Sequence, residues 1–153
     1  MNTRVDASYG VHSDMKSHTE CVVSLGKGVI YGKSSTQKLN TKSSTESELV
    51  GLSDSANQMI WVRNFMSNQG YNMEPAIICK DNKSTIQLIG NGRSISEKTR
   101  HVNIRYFFLT DRIKTIEIKI EYKSTKEMLA DISTKPLQGE QFRALRNQLL
   151  NNQ

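Results

Sequence analysis

Leu49, Leu52, Ala56, Met59 and Ile60, followed by Arg63 and Met66, stand three and four residues apart within 42–67. That spacing predicts a helix of roughly six turns with one apolar stripe turned toward a sheet. Ser43 and Glu46 have the spacing of a capping box, in which hydroxyl and carboxylate each satisfy a backbone donor left open by the first turn. Glu46 thus has a local task. Glu48 lies elsewhere on the cylinder, beside core-facing Leu49 and Leu52, where a carboxylate costs free energy unless a cation meets it. The plain alternative is a first-turn Glu favoured by the helix dipole.

On either side the pattern predicts short strands. Residues 2–9 read as a first strand ending at Gly10, and 20–25 and 29–33 as two more, joined by a hairpin at Gly26-Lys27-Gly28. After the long helix, 76–80 is a buried-type strand. In 115–122, Ile116, Ile118 and Ile120 alternate with Glu117, Lys119 and Glu121, as in a half-buried edge strand. Helical spacing covers 82–90 and 101–113, the latter through Val102, Ile104, Tyr106, Phe107 and Leu109. A further helix begins at Ser124 or Thr125 and ends at Pro136, and a short one spans 139–150. The order is strand–strand–strand–helix–strand–helix–helix–strand–helix, an α/β chain.

With 153 residues, one domain is expected, burying about 70% of its unfolded surface. Lys and Arg number 21 against 15 Asp and Glu, a formal charge of +6, which favours polyanionic partners and, first among them, nucleic acid. The positive charge gathers in two stretches: Lys27, Lys33, Lys38 and Lys42 with no acid between them, and Arg93, Lys98, Arg100 and Arg105 against Glu97 alone. Solvated loops would explain any single one of these cations. Cys21 and Cys79 lack the spacing of a zinc site or a disulfide framework and are expected to pack as small apolar residues. Neither an apolar run of about 20 residues nor a signal segment occurs, so an intracellular chain with no membrane partner is expected.

Four acids stand in unusual settings: Asp6 inside the first strand, Glu48, Asp81 directly after the fourth strand, and Asp131 in the helix after residue 124. Each has a plain reading. Asp6 suits strand-end turn chemistry, and Asp81 suits the N-cap of the helix over 82–90. Brought together, though, four carboxylates repel and persist ionised only around divalent cations such as Mg²⁺ or Mn²⁺, whose preferred ligands are hard oxygens. Two such ions about 3.5–4 Å apart suit hydrolysis of a phosphodiester.

Those settings, with VDASYG around Asp6, SSTESELVGLS around Glu48, CKDNKSTIQL around Asp81, TRHVNIRYFFLTD at 99–111 and EMLADISTKPL around Asp131, resemble the ribonuclease H domain of Copia-class retrotransposon polyproteins. The resemblance covers residues 4–137. It implies a ribonuclease H-like five-stranded mixed sheet, its first three strands antiparallel, flanked by helices, and an endonuclease for the RNA strand of RNA–DNA hybrids. By the same resemblance Asp6 bridges two Mg²⁺ ions, Glu48 and Asp81 hold one of them, and Asp131 completes the other. Lys38, Lys42, Arg93, Lys98, Arg100, His101 and Arg105 are expected to follow the substrate. Ser8, Ser44, Asn82 and Ser84 are candidates for 2′-hydroxyl contacts.

The chain departs from many cellular relatives in having no histidine in the loop Lys123-Ser124-Thr125-Lys126. The basic protrusion of some bacterial members is reduced to 91–100. A polymerase domain, covalently linked in a parent polyprotein, is therefore an expected partner, with the cytoplasmic retroelement particle or the nucleus as location. The ribonuclease H-like domain is expected over 1–137, with 138–153 a helical extension. Two other classes compete: a silent nucleic-acid-binding or connection domain, and a DDE-type transposase or integrase core. The four acids weigh against the first. The hairpin-rich start, the place of Glu48 on the first long helix and the fourth acid weigh against the second.

Overall fold

A computed structural model of the chain describes residues 1–26, 28–90, 100–124, 129–130, 132 and 137–151. Its five strands are β1 (Asn2–Ser8), β2 (His18–Leu25), β3 (Gly28–Thr36), β4 (Ala76–Lys80) and β5 (Ile118–Tyr122). Interleaved with them are the helices α1 (Ser44–Asn68), α2 (Lys83–Gly90), α3 (Arg100–Lys114) and α4 (Gly139–Leu149). The sheet order is β3-β2-β1-β4-β5. β1, β2 and β3 pair antiparallel, whereas β4 runs parallel to both β1 and β5. This is the expected mixed sheet, with β5 at one edge. The helix expected between 124 and 136 falls mostly outside the described residues, although Leu129 and Ala130 are buried.

The core lies between the sheet and α1 and α3. Val5, Cys21, Val23, Ala76 and Ile78 from the strands meet Leu49, Leu52, Ala56 and Met59 of α1 and Val102, Tyr106 and Leu109 of α3. Ile104 and Phe107, counted in the same helical spacing, are exposed. Within the mixed run of apolar residues only those one helical turn apart, 102, 106 and 109, share the stripe. Cys21 and Cys79 are buried among the apolar residues, as expected.

Ile116 also departs from the expected pattern. It is 68% exposed and precedes β5, with φ at +58°. Glu117 N donates to Arg112 O and Ile116 N to Ile113 O, at 3.0 and 3.1 Å, closing α3 with a left-handed C-cap of the kind glycine usually supplies. Of the alternating isoleucines, only Ile118 and Ile120 take part in the strand's packing.

Two devices set the start of α1 against the sheet. Ser43 Oγ accepts from Glu46 N at 3.2 Å, and Glu46 Oε2 accepts from Lys42 N at 2.8 Å, so the reciprocal bond of the capping box lands one residue earlier than its usual form. Gly51 lets the helix sit close: a β-carbon there would lie 3.2 Å from both Thr19 Cγ2 and Thr19 Oγ1 and 3.6 Å from Ala7 Cβ. Thr19 is itself held, because the buried Gln37 donates through Nε2 to Thr19 Oγ1 and to Ser47 O, each at 2.8 Å. That brace fixes the turn of helix carrying Glu48.

Candidate active site

Asp6 and Asp81 reach one place because β1 and β4 are parallel neighbours. The register Arg4↔Cys79 carries both strands on to the same carboxyl end, where ligands collect in α/β sheets. Glu48 comes to that end from the second turn of α1. One oxygen of each carboxylate lies within 4.8 Å of the others. Asp6 and Glu48 are each 5% exposed, and Asp81 is half-buried. Asp81 does not cap α2. Asn82 does, its Oδ1 accepting from Thr85 N at 3.1 Å, which leaves the Asp81 side chain for the cluster.

Among the described residues, Lys80 is a cation that meets these carboxylates. It shares one side of β4 with Ala76 and Ile78 and, like them, is fully buried, with its ammonium among the acids at the strand end. Nζ donates to Val5 O at 2.9 Å and lies 3.5 Å from Asp6 Oδ1, 3.5 Å from Asp81 Oδ1 and 2.5 Å from Glu48 Oε2. The last contact is an ion pair without directed hydrogen-bond geometry. Burial pushes the Glu48 carboxyl up to about 7; Lys80 pulls against that shift, while Asp6 and Asp81 add to it.

Strand patterning alone gives Lys80 no role beyond ending β4. The signal that could have found it is a lysine at a position whose period-2 partners are wholly buried, next to an acid. Glu20 is a further buried acid on the sheet. It stands directly across from Asp6 in the β1–β2 ladder and is buried, so the two carboxylates share a face of the sheet.

The donor set fits Mg²⁺ or Mn²⁺: convergent carboxylate oxygens, with no cysteine or histidine in the group. Asp131 lies outside the described residues, as do Arg93 and Lys98.

No protein-family model matches the chain. It is 28% identical over 127 residues, 83% of its length, to the retrovirus-related Pol polyprotein from transposon TNT 1-94 of Nicotiana tabacum. It is 32% identical over 146 residues, 93% of its length, to the truncated transposon Ty1-A Gag-Pol polyprotein of Saccharomyces cerevisiae. The chain spans 10% and 12% of the length of those two polyproteins. Among solved structures, LC11-RNase H1, isolated from compost, matches with a TM-score of 0.64 at 10% identity, over 85% of this chain and 89% of that one. The same protein in complex with an RNA/DNA hybrid matches at 0.59 and 8% identity, over 83% and 87%. The chain belongs to the ribonuclease H-like domains of Copia- and Ty1-type retrotransposon polyproteins.

In this ribonuclease H-like domain the described residues expected to follow substrate sit on several elements. Lys38, Lys42 and Ser44 are exposed on the approach to α1 and at its first residue; Ser8 ends β1 and is half-buried; Ser84 is exposed on α2. Asn82 is already engaged as a cap. Arg100 is exposed at the start of α3, His101 follows it with its side chain outside the described set, and Arg105 is ion-paired with Asp54 of α1. Lys38 and Arg105 also line a groove between β3 and α1, with Tyr31, Lys33 and Trp61. In the loop between β1 and β2 and the strands behind it, His12, His18, Ser34 and Thr36 form a connected polar chain. His18 Nε2 lies 2.7 Å from Ser34 Oγ, and His12 Nε2 lies 3.0 Å from both His18 Nδ1 and Thr36 Oγ1. Burial, then the neighbouring His12, holds His18 below the usual imidazole range. Among the described residues, no helix is long and apolar enough to cross a membrane.

Proposed function

We propose that this domain is a metal-dependent endoribonuclease that cleaves the RNA strand of RNA–DNA hybrids during reverse transcription of its element. The observation that carries the reading is the convergence of Asp6, Glu48 and Asp81 from three elements at the carboxyl end of two parallel strands. Asp6, Glu48 and Asp81 would hold one Mg²⁺, and Asp6 with Asp131 a second, Mn²⁺ serving as a substitute. Bound ions of this kind activate a water and stabilise the departing oxygen of a phosphodiester.

The rest falls to side chains of the chain itself. Lys38, Lys42, Arg100 and Arg105, with Arg93 and Lys98, would neutralise backbone phosphates on either flank of the acids. The hydroxyls of Ser8, Ser44 and Ser84, and Asn82, would report the 2′-hydroxyls that distinguish RNA from DNA. A polymerase domain of the parent polyprotein would help to hold the hybrid. Residues 138–153 would serve as a helical extension of the domain at 1–137.

A second reading, a catalytically silent nucleic-acid-binding domain, draws support from the ammonium of Lys80 lying among the acids. One assay separates the two. Labelled RNA–DNA hybrid, duplex DNA and duplex RNA are incubated with the chain in Mg²⁺, Mn²⁺ or chelator. Cleavage of hybrid RNA alone, dependent on the ion and abolished by Asp6→Asn or Asp81→Asn with the fold intact, is the expected result. Activity retained in those variants would overturn the assignment.

A further inference from the structure

The ammonium of Lys80 is wholly buried and contacts all three carboxylates and a backbone carbonyl. It stands where a metal ion held by the same oxygens would have to stand. An ion with ligand distances of about 2.1 Å draws neighbouring oxygens to about 3 Å apart, or about 4 Å across the ion. An ammonium, whose bonds to oxygen run to about 2.8 Å, holds them farther apart. The carboxylate oxygens here lie within 4.8 Å of one another, and the ammonium sits among them. Two cations within bonding distance of the same oxygens repel each other strongly, so lysine and ion exclude one another.

From this geometry we infer that Lys80 is the resident cation of the trio, and that a divalent ion binds there only by exchange, the ammonium leaving as the ion enters. The inference rests on the reading of the trio as a metal site. It adds a role for a residue outside the acid set. Lys80 holds the three carboxyl groups together in the ion-free protein and sets the threshold concentration of metal at which the site fills. The four-carbon stem makes such movement possible, since an ammonium on a flexible chain leaves a site without shifting the backbone.

The test is a Mn²⁺ titration of wild type and Lys80→Met, followed by electron paramagnetic resonance, with thermal unfolding in chelator and in Mn²⁺ alongside. Losing a charge-assisted competitor should tighten Mn²⁺ binding by at least about tenfold. Lys80→Met should also melt below wild type in chelator and gain more than wild type from the ion. Equal affinities would overturn the exchange while leaving the metal site standing. Failure of both proteins to bind Mn²⁺ would overturn the metal site and the exchange together. Should the variant not fold in chelator, the wild type decides the matter by nuclear magnetic resonance. The Lys80 ε-methylene signals must shift as Mg²⁺ fills the trio, and unchanged signals with the ion bound would refute exchange.

Discussion

Glu48 offers a sharp test of the site's electrostatics in the absence of metal. Its carboxyl ordinarily titrates at 4.5 and is pushed up to about 7 in the folded chain, chiefly by burial. Between those values the native state holds a proton that the unfolded state has released. The neutral carboxyl's advantage is therefore complete below pH 4.5 and is lost as pH rises through about 7. The difference of 7 − 4.5 = 2.5 pH units corresponds to about 3 kcal/mol at 1.36 kcal/mol per unit. Glu48→Gln keeps the shape of the side chain and cannot titrate. Urea unfolding of both proteins in chelator, from pH 4.5 to above 7, should show wild type losing about 3 kcal/mol relative to the variant. Groups remote from the site titrate alike in both proteins, so their contribution cancels in the comparison. Bound Mg²⁺ favours the ionised carboxylate, so adding it should flatten the difference. Parallel profiles in chelator would refute the reasoning.

Three further outcomes follow from the geometry. Gly51→Ala gains about 1 kcal/mol of helix propensity. It also places a methyl group 3.2 Å from a Thr19 side chain that Gln37 holds in place, and a net loss of about 1–2 kcal/mol in urea unfolding is expected; a gain would show that Thr19 yields. Ile116→Gly removes a β-branched residue from φ +58°. Relief of about 1–2 kcal/mol of strain exceeds the entropic cost of glycine, so the melting temperature should rise. Finally, hybrid affinity should fall linearly with salt on logarithmic axes, and Lys38→Ala and Lys42→Ala should each reduce that slope by about one. Unchanged slopes would remove those lysines from the substrate track.

The strands and α1 were legible because their signals are local: alternation, a Gly-Lys-Gly turn, and Ser43 with Glu46 at the helix start. Asp6, Glu48 and Asp81 were legible as anomalies, acids in places where solvation does not account for them. Lys80 was not, because a lysine at the end of an apolar strand reads as a stem reaching for water. Only the parallel pairing of β1 with β4 reveals that its ammonium ends among carboxylates. Asp81 and Asn82 are both good caps, and the choice between them depends on which is drawn toward the lysine. Ile116 was misplaced because the isoleucine alternation runs without a break past the end of α3, where backbone hydrogen bonds override it.

The parallel join of β1 to β4 also dictates when the protein acquires its chemistry. Lys80 meets Val5 and Asp6 across 75 and 74 positions of chain, and contacts so distant form late. A polypeptide still under synthesis and finished only through α1 carries two of the acids, on separate pieces, and lacks both the lysine and the third acid. A protein whose proposed work is to cut RNA is therefore assembled on an RNA machine in a harmless form, and becomes competent only once its first strand and its fourth lie side by side.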